Sequence, residues 1–420
     1  MFSRKGQSHR LGIALCCLFA VFSADLRANR PVKVGADVLL EKRLNLLMGK
    51  RIGVITNHTG VLSDGQHIVD ALLERHIEVA ALFGPEHGIR GETPDGVSIQ
   101  GGRDTRTGLP VYSLYGADRK PTADMLHDID VLVFDIQTVD ARFYTFLSTM
   151  MLAMEAAAEY GVDFMVLDRP NPTRGLLVEG PVREDTLRSF ISLPPIPIRT
   201  GMTVGELAEM INEEGWLAGG AKARLTVIPM EGWRRSLWYD ETDVEWVRPS
   251  PNMMTLRTAI VYDGSALIEG VANVSEGRGT ERPFEYIGSP WVDGEALADE
   301  LNAHRLPGVK FEQKGFLVER VEGRTPAVKF EGEQCDGVFI NVVDRDAFRP
   351  VPMGVALLHA LKKLYGGRIE WRKASLDRLA GTSRLRELLD DGAPVGELLG
   401  VMSEGLERFM ELRSNYLLYE

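Results

Sequence analysis

Val79-Ala80-Ala81-Leu82-Phe83-Gly84-Pro85-Glu86-His87 is an apolar run of strand length that stops at a glycine and a proline and leaves a carboxylate and an imidazole at its end. A continuous apolar run of this length, bounded by turn residues, reads as a strand buried on both faces. Four more stretches share the design. Arg51-Ile52-Gly53-Val54-Ile55-Thr56 ends in Asn57-His58, and Val111-Tyr112-Ser113-Leu114 ends in Tyr115-Gly116. Val131-Leu132-Val133-Phe134 ends in Asp135-Ile136-Gln137, and Phe164-Met165-Val166-Leu167 ends in Asp168-Arg169-Pro170-Asn171-Pro172. Helical patterns lie between them. The plainest covers residues 144–160, where Phe146, Leu147, Met150, Met151 and Met154 recur at helical spacing and mark core packing.

Strands alternating with helices dictate an α/β architecture with a parallel sheet covered on both faces, because each crossover helix must bury its apolar stripe. All the strand ends then share one rim, and ligands of open parallel sheets sit beyond the carboxyl ends of the strands. Singly, His58, Asp135 and Asp168 read equally well as caps or turn residues. Five polar strand ends on one rim point to a common pocket.

The rhythm stops at Leu193-Pro194-Pro195-Ile196-Pro197-Ile198, a proline cluster that continues neither a helix nor a central strand. A parallel-sheet domain is therefore expected over residues 33–192 and a second domain over 193–420. In the second half, Thr203-Val204-Gly205-Glu206 is a capping-box signature for a helix reaching residue 214. Strands are expected at 225–228 and 338–343, and helices at 354–364 and 401–413.

The first residues stand apart from the fold. Arg4, Lys5, His9 and Arg10 precede an apolar run over residues 11–22, too short to span a bilayer and followed by the small residues Ser23 and Ala24. This pattern predicts a signal peptide over residues 1–28, cleaved between Ser23 and Ala28, and export to the periplasm with no stable membrane span afterwards. Cys16 and Cys17 fall inside it, so Cys335 stands alone in the mature chain, where a buried or edge thiol is expected. The remaining composition, 420 residues with 44% hydrophobic content, suffices for a sizeable core. A formal charge of −12 argues against nucleic acid as a partner.

Absent motifs narrow the chemistry. The loop after the first strand has neither the glycine spacing of a dinucleotide site nor that of a phosphate cradle, so no nucleotide cofactor is expected. There is no G-x-S-x-G elbow and no H-E-x-x-H pair, and His58, His67 and His87 match no metal-ligand spacing. One loop of the second half concentrates charge: Asn273-Val274-Ser275-Glu276-Gly277-Arg278-Gly279-Thr280-Glu281-Arg282-Pro283-Phe284-Glu285. Glycines on both sides of Arg278 allow close approach of a ligand to the backbone, and a guanidinium fork suits a carboxylate.

Six motifs in order, Gly84-Pro85-Glu86-His87-Gly88-Ile89-Arg90-Gly91, Val133-Phe134-Asp135-Ile136-Gln137, Ala141-Arg142-Phe143-Tyr144, Leu167-Asp168-Arg169-Pro170-Asn171-Pro172, Ser250-Pro251-Asn252-Met253 and Ser275-Glu276-Gly277-Arg278-Gly279-Thr280, resemble those of the exo-β-N-acetylmuramidases of the NamZ type. The resemblance runs from about residue 34 to the C-terminus. It implies a Rossmann-like N-terminal domain, a smaller α+β C-terminal domain and a cleft between them that hydrolyses non-reducing terminal N-acetylmuramic acid from muropeptide-derived sugars.

Glycoside hydrolysis asks for one carboxyl group to protonate the leaving oxygen and a second, ionised one as base or nucleophile. On this reading Glu86 is the acid and Glu276 the second carboxylate, with Asp135 the alternative. The lactyl carboxylate of the sugar calls for an arginine, Arg278 or Arg142. Asn57, Gln137 and Asn171 are candidates for the acetamido group and hydroxyls, and Tyr144 for stacking on the ring. His58, His87, Asp168 and Arg169 complete the expected binding set. The competing classes are a non-catalytic cell-wall sugar-binding protein and an amidase or esterase. Two departures from the family pattern are Thr138-Val139-Asp140, in place of Asp-Val-Gly, and a loop over 92–97 without Ala-Gly-Glu. The first is expected beside the cleft.

Overall fold

Period-two alternation along the strands of the first sheet feeds two different layers. In β5 (Val131–Asp135), Val131 and Val133 enter one apolar cluster while Leu132 and Phe134 enter the other, and in β6 (Asp163–Leu167) Met165 and Leu167 part from Phe164 and Val166 in the same way. Both faces are therefore core, as runs without polar alternation require. The computed structural model describes Met1 and residues 31–91, 93, 96–97, 101–325 and 327–420. Apart from Met1, the expected signal peptide lies outside the described residues.

Beside β5 and β6 the sheet contains β1 (Ile52–Thr56), β2 (Val79–Gly84), β3 (Gly102–Arg103), β4 (Pro110–Ser113) and β7 (Arg224–Ile228), in the order β3-β4-β2-β1-β5-β6-β7. Every pairing is parallel except that of the short edge strand β3. The Thr145–Tyr160 helix is buried along most of its length and ends at Gly161, whose φ of +71° is a left-handed conformation that suits glycine.

The boundary expected at residue 193 does not fall there. β7 pairs in parallel with β6 and completes the first sheet, and the Val204–Glu213 helix, with the anticipated Thr203/Glu206 capping box, is its crossover. The proline cluster interrupts a long connection without ending the βα alternation.

The second unit has a four-stranded antiparallel sheet. β11 (Gln334–Val342) pairs with β8 (Tyr286–Ser289), β9 (Val309–Gln313) and β10 (Phe316–Leu317). Cys335 on β11 is buried, and burial pushes its thiol up to about 12, so it is an inert core group. The Gly294–Ala303 helix packs on β9 and β11 of this sheet, and the Pro350–Tyr365 helix packs against that helix. The second of them also crosses the Leu256–Ser265 helix at Gly264 and Gly354, so closely that a Cβ at Gly264 would lie 1.8 Å from the Pro350 carbonyl oxygen. Among the described residues no helix is long and apolar enough to cross a membrane.

Candidate active site

The strand order reverses between β1 and β5, which makes the crevice beyond their ends a topological switch point. The loop that opens toward the second unit is the neighbouring one, after β2. There the Gly88 amide donates to the Pro85 carbonyl at 3.0 Å, closing a tight turn with His87 at φ +73°. A non-glycine residue in the left-handed region is uncommon, and this one is locked by its surroundings. The His87 ring meets the Thr93 carbonyl through Nδ1 at 2.8 Å and sets its edge against Phe146. The turn presents Glu86, half-buried, with Oε2 accepting from the Thr145 hydroxyl at 2.7 Å and Oε1 from the Gly96 amide at 3.0 Å.

The opposite wall comes from the second unit. The Leu256–Ser265 helix continues into a 3-10 turn, Ala266–Gly270, that carries Glu269, and the charged loop follows with Glu276 and Arg278. One guanidinium nitrogen of Arg278 lies 3.1 Å from Glu269 Oε1 and 3.1 Å from Glu276 Oε1, while the group sits 4.7 Å above the Phe284 ring. Lys329 Nζ lies 2.8 Å from Glu276 Oε2 and donates to the carbonyls of Ile268, Val271 and Val274, so it pins the whole loop.

These four groups form an alternating chain, Glu269, Arg278, Glu276, Lys329. Burial pushes Glu276 up, but Lys329 and Arg278 outweigh it and hold the carboxyl at about 2, firmly ionised. For Glu269 burial prevails over Arg278, and the charge on Glu276 adds to it, so its pKa is raised. The side chain of Glu269 keeps 28% of its surface exposed against 7% for Glu276, which makes Glu269 the more accessible of the two.

Glu86, Glu269 and Arg278 line one cavity of about 180 Å3, walled by Tyr115, Tyr144, Tyr262 and Phe284 with Ser250 and Asn252. A wider space of about 600 Å3, lined by Glu86, Glu276, Arg278, Lys329 and Arg372, adjoins it. Carboxylates, an arginine and aromatic faces on one cleft are the components of a carbohydrate-processing site.

Glu86, His87, Tyr144, Glu276 and Arg278 thus reach the cleft, and several expected residues do not. Asp135 is fully buried and bonded by both oxygens to Arg169, at 2.6 and 2.8 Å. Asp168 accepts from the Thr203 hydroxyl and the Gly205 amide at the start of a helix, and also from Tyr419; burial pushes it up to about 7. Arg142 donates to the carbonyls of Pro181, Ile196 and Leu379, where burial without a carboxylate lowers it to about 9.

Asn57 Oδ1 accepts from the Thr59 amide and hydroxyl within its own loop, while Gln137 and Asn171 tie neighbouring loops by donating to the Pro170 and Met202 carbonyls. His58 lines a separate cavity beside Arg248, and its Nε2 meets the Arg248 carbonyl at 2.6 Å. Asp140, from the departing tripeptide, points away from the cleft to the Thr200 and Gly201 amides. The polar rim is mostly a scaffold, because most of its charged and amide groups hold one loop to the next.

Sequence reading missed Glu269, Lys329 and Tyr262. Glu269 sits in the apolar stretch Ala266-Leu267-Ile268-Glu269-Gly270, where a lone acid among core residues was the available signal.

Comparison with known proteins agrees with this geometry. The family "Exo-beta-N-acetylmuramidase NamZ, N-terminal" matches residues 52–257, and its C-terminal counterpart matches residues 260–419. The chain belongs to the NamZ family. It is 43% identical over 401 residues to the peptidoglycan beta-N-acetylmuramidase NamZ of Bacillus subtilis (strain 168), covering 94% of each protein. Two crystal structures of DUF1343 family proteins from Bacteroides fragilis NCTC 9343 share the fold. One has a TM-score of 0.86 at 36% identity over 93% of this chain and 100% of that one, and the other 0.77 at 31% over 93% and 99%. The NamZ division near residue 258 coincides with the start of the Leu256–Ser265 helix, so Glu86 comes from one NamZ unit and Glu269, Glu276 and Arg278 from the other.

Proposed function

We infer that this protein is an exo-acting glycoside hydrolase that releases non-reducing terminal N-acetylmuramic acid from peptidoglycan fragments. The observation that carries the reading is Glu86 facing a C-terminal pair of glutamates across one cleft, in a chain related along nearly its whole length to a peptidoglycan β-N-acetylmuramidase.

In this reading Glu86 protonates the glycosidic oxygen. The Thr145 hydroxyl both donates and accepts, so its contact with Glu86 survives loss of the proton. Glu269 is the second carboxylate, acting on water or on the anomeric carbon, because it opens on the same cavity as Glu86. Glu276 stays ionised and, with Lys329, fixes Arg278, which is the partner for the lactyl carboxylate. This assignment moves the second carboxylate from Glu276 to its neighbour and sets aside Asp135, paired with Arg169, and Arg142, whose terminal guanidinium nitrogens are committed to the carbonyls of Pro181, Ile196 and Leu379.

The N-terminal residues carry the further reading that the protein is exported to the periplasm and acts there on soluble muropeptide-derived sugars. Fractionation with N-terminal sequencing tests the address; a cytoplasmic protein beginning at Met1 contradicts it. For the activity, chromogenic N-acetylmuraminide should be cleaved and the N-acetylglucosaminide spared, and a defined glycan chain should yield free N-acetylmuramic acid before any internal fragment. Equal cleavage of both sugars, or internal cuts appearing first, would overturn the assignment.

A further inference from the structure

A second cluster of ligating side chains lies outside the cleft, between the helix that covers the antiparallel sheet and the helix packed against it. Glu300 on the Gly294–Ala303 helix and His304 at its C-terminal cap are four residues apart and share a face. His359 on the Pro350–Tyr365 helix faces them, its ring centre 5.6 Å from that of His304. One ligating atom from each of the three residues lies within 4.8 Å of the other two.

His304 Nε2 and His359 Nδ1 are both sealed from solvent and make no hydrogen bond among the described residues. His304 Nε2 is 3.7 Å from Glu300 Oε1, beyond hydrogen-bonding range. Leaving a buried polar atom unsatisfied costs about 1–3 kcal/mol, so two such nitrogens facing a carboxylate ask for a shared partner. We propose that Glu300, His304 and His359 form a binding site for a divalent transition-metal ion, clamping the two helices together.

Two imidazoles and one carboxylate with an open fourth position are a ligand set suited to zinc-class ions. Tetrahedral bonds of about 2.0–2.1 Å place ligating atoms roughly 3.4 Å apart, so the present cluster has to contract by about 1 Å. Side-chain rotation at the helix surface supplies that movement. Lys363 is the competitor, because its ammonium lies 2.8 Å from both oxygens of Glu300. Its side chain is 56% exposed and swings into water without leaving a buried charge.

The test is calorimetric titration of the chelator-stripped protein with Zn2+, together with its thermal midpoint and the visible spectrum of its Co2+ form. One equivalent bound, a raised midpoint and tetrahedral d–d bands are expected. His304→Ala and His359→Ala should abolish all three while hydrolysis of the sugar substrate is unchanged. Glu300→Gln should weaken binding by roughly tenfold or more. Lys363→Ala should tighten it, a result that keeps the test decisive if a histidine variant fails to fold. Absence of uptake, or the same uptake in His359→Ala and Lys363→Ala as in the unaltered chain, would overturn the proposal.

Discussion

Asp135 and Glu276 are both buried carboxylates held by an arginine, and they differ in how their partners are arranged. Asp135 takes Arg169 as a bidentate fork, and the pair closes on itself beneath the rim of the parallel sheet. Glu276 shares Arg278 with Glu269 and borrows Lys329 as well, so its chain of charges runs outward and ends on a cavity. A closed pair holds loops together. An open chain instead fixes Arg278 through an ionised Glu276 and leaves Glu269 facing the cavity that Glu86 also lines.

Four experiments would break or sharpen that contrast. Glu269→Gln keeps the size of the side chain but removes the base, and kcat should fall by about 10²–10⁴-fold with little change in thermal midpoint. Turnover near that of the unaltered enzyme would return the role to Glu276. Asp135→Ala should do the reverse, because an unpaired buried Arg169 costs about 3–5 kcal/mol of stability, read as a shift in the urea midpoint. A stable Asp135→Ala protein without turnover would place Asp135 in the chemistry.

Arg278→Ala should erode the preference for N-acetylmuramic acid over N-acetylglucosamine by roughly ten- to a hundred-fold in kcat/KM, the worth of one charge-assisted hydrogen bond. An unchanged ratio means that the lactyl group is recognised elsewhere. The smallest effect concerns pH. Glu276 is ionised down to about 2 in the fold and to 4.5 when unfolded, so its contribution is complete above 4.5 and lost as the pH falls between these values. Asp168 has the opposite sign: the fold holds its proton up to about 7 and the unfolded chain only to 3.8, so stability declines as pH rises across that window. In urea titrations across pH, Glu276→Gln should flatten the acid slope and Asp168→Asn the neutral one.

Much of the fold was legible because a strand buried on both faces has to be apolar throughout. β1, β2, β5 and β6 lie within a residue or so of the runs that announced them, and the core helix follows its Met and Phe spacing. The domain boundary was not legible, since a proline cluster looks the same in a linker and in a long crossover. Of the site, Glu86 and Arg278 could be picked out because proline and glycine beside a charged residue restrict what the backbone is doing. Arg142 could not be sorted from them. Its carbonyl partner at Leu379 is 237 residues away in sequence, and no local pattern distinguishes a guanidinium committed to the scaffold from one waiting for a ligand. Glu269 was hidden for a related reason, because only tertiary packing brings it alongside Arg278.

The central claim is that proton transfer to the leaving group begins at the turn after β2. Glu86→Gln measures it directly, since the amide preserves the shape of the side chain and cannot deliver the proton. With a chromogenic N-acetylmuraminide, the account predicts a loss in kcat of about 10²–10⁴-fold at an unchanged thermal midpoint. A Glu86→Gln enzyme that turns over at close to the unaltered rate would contradict it.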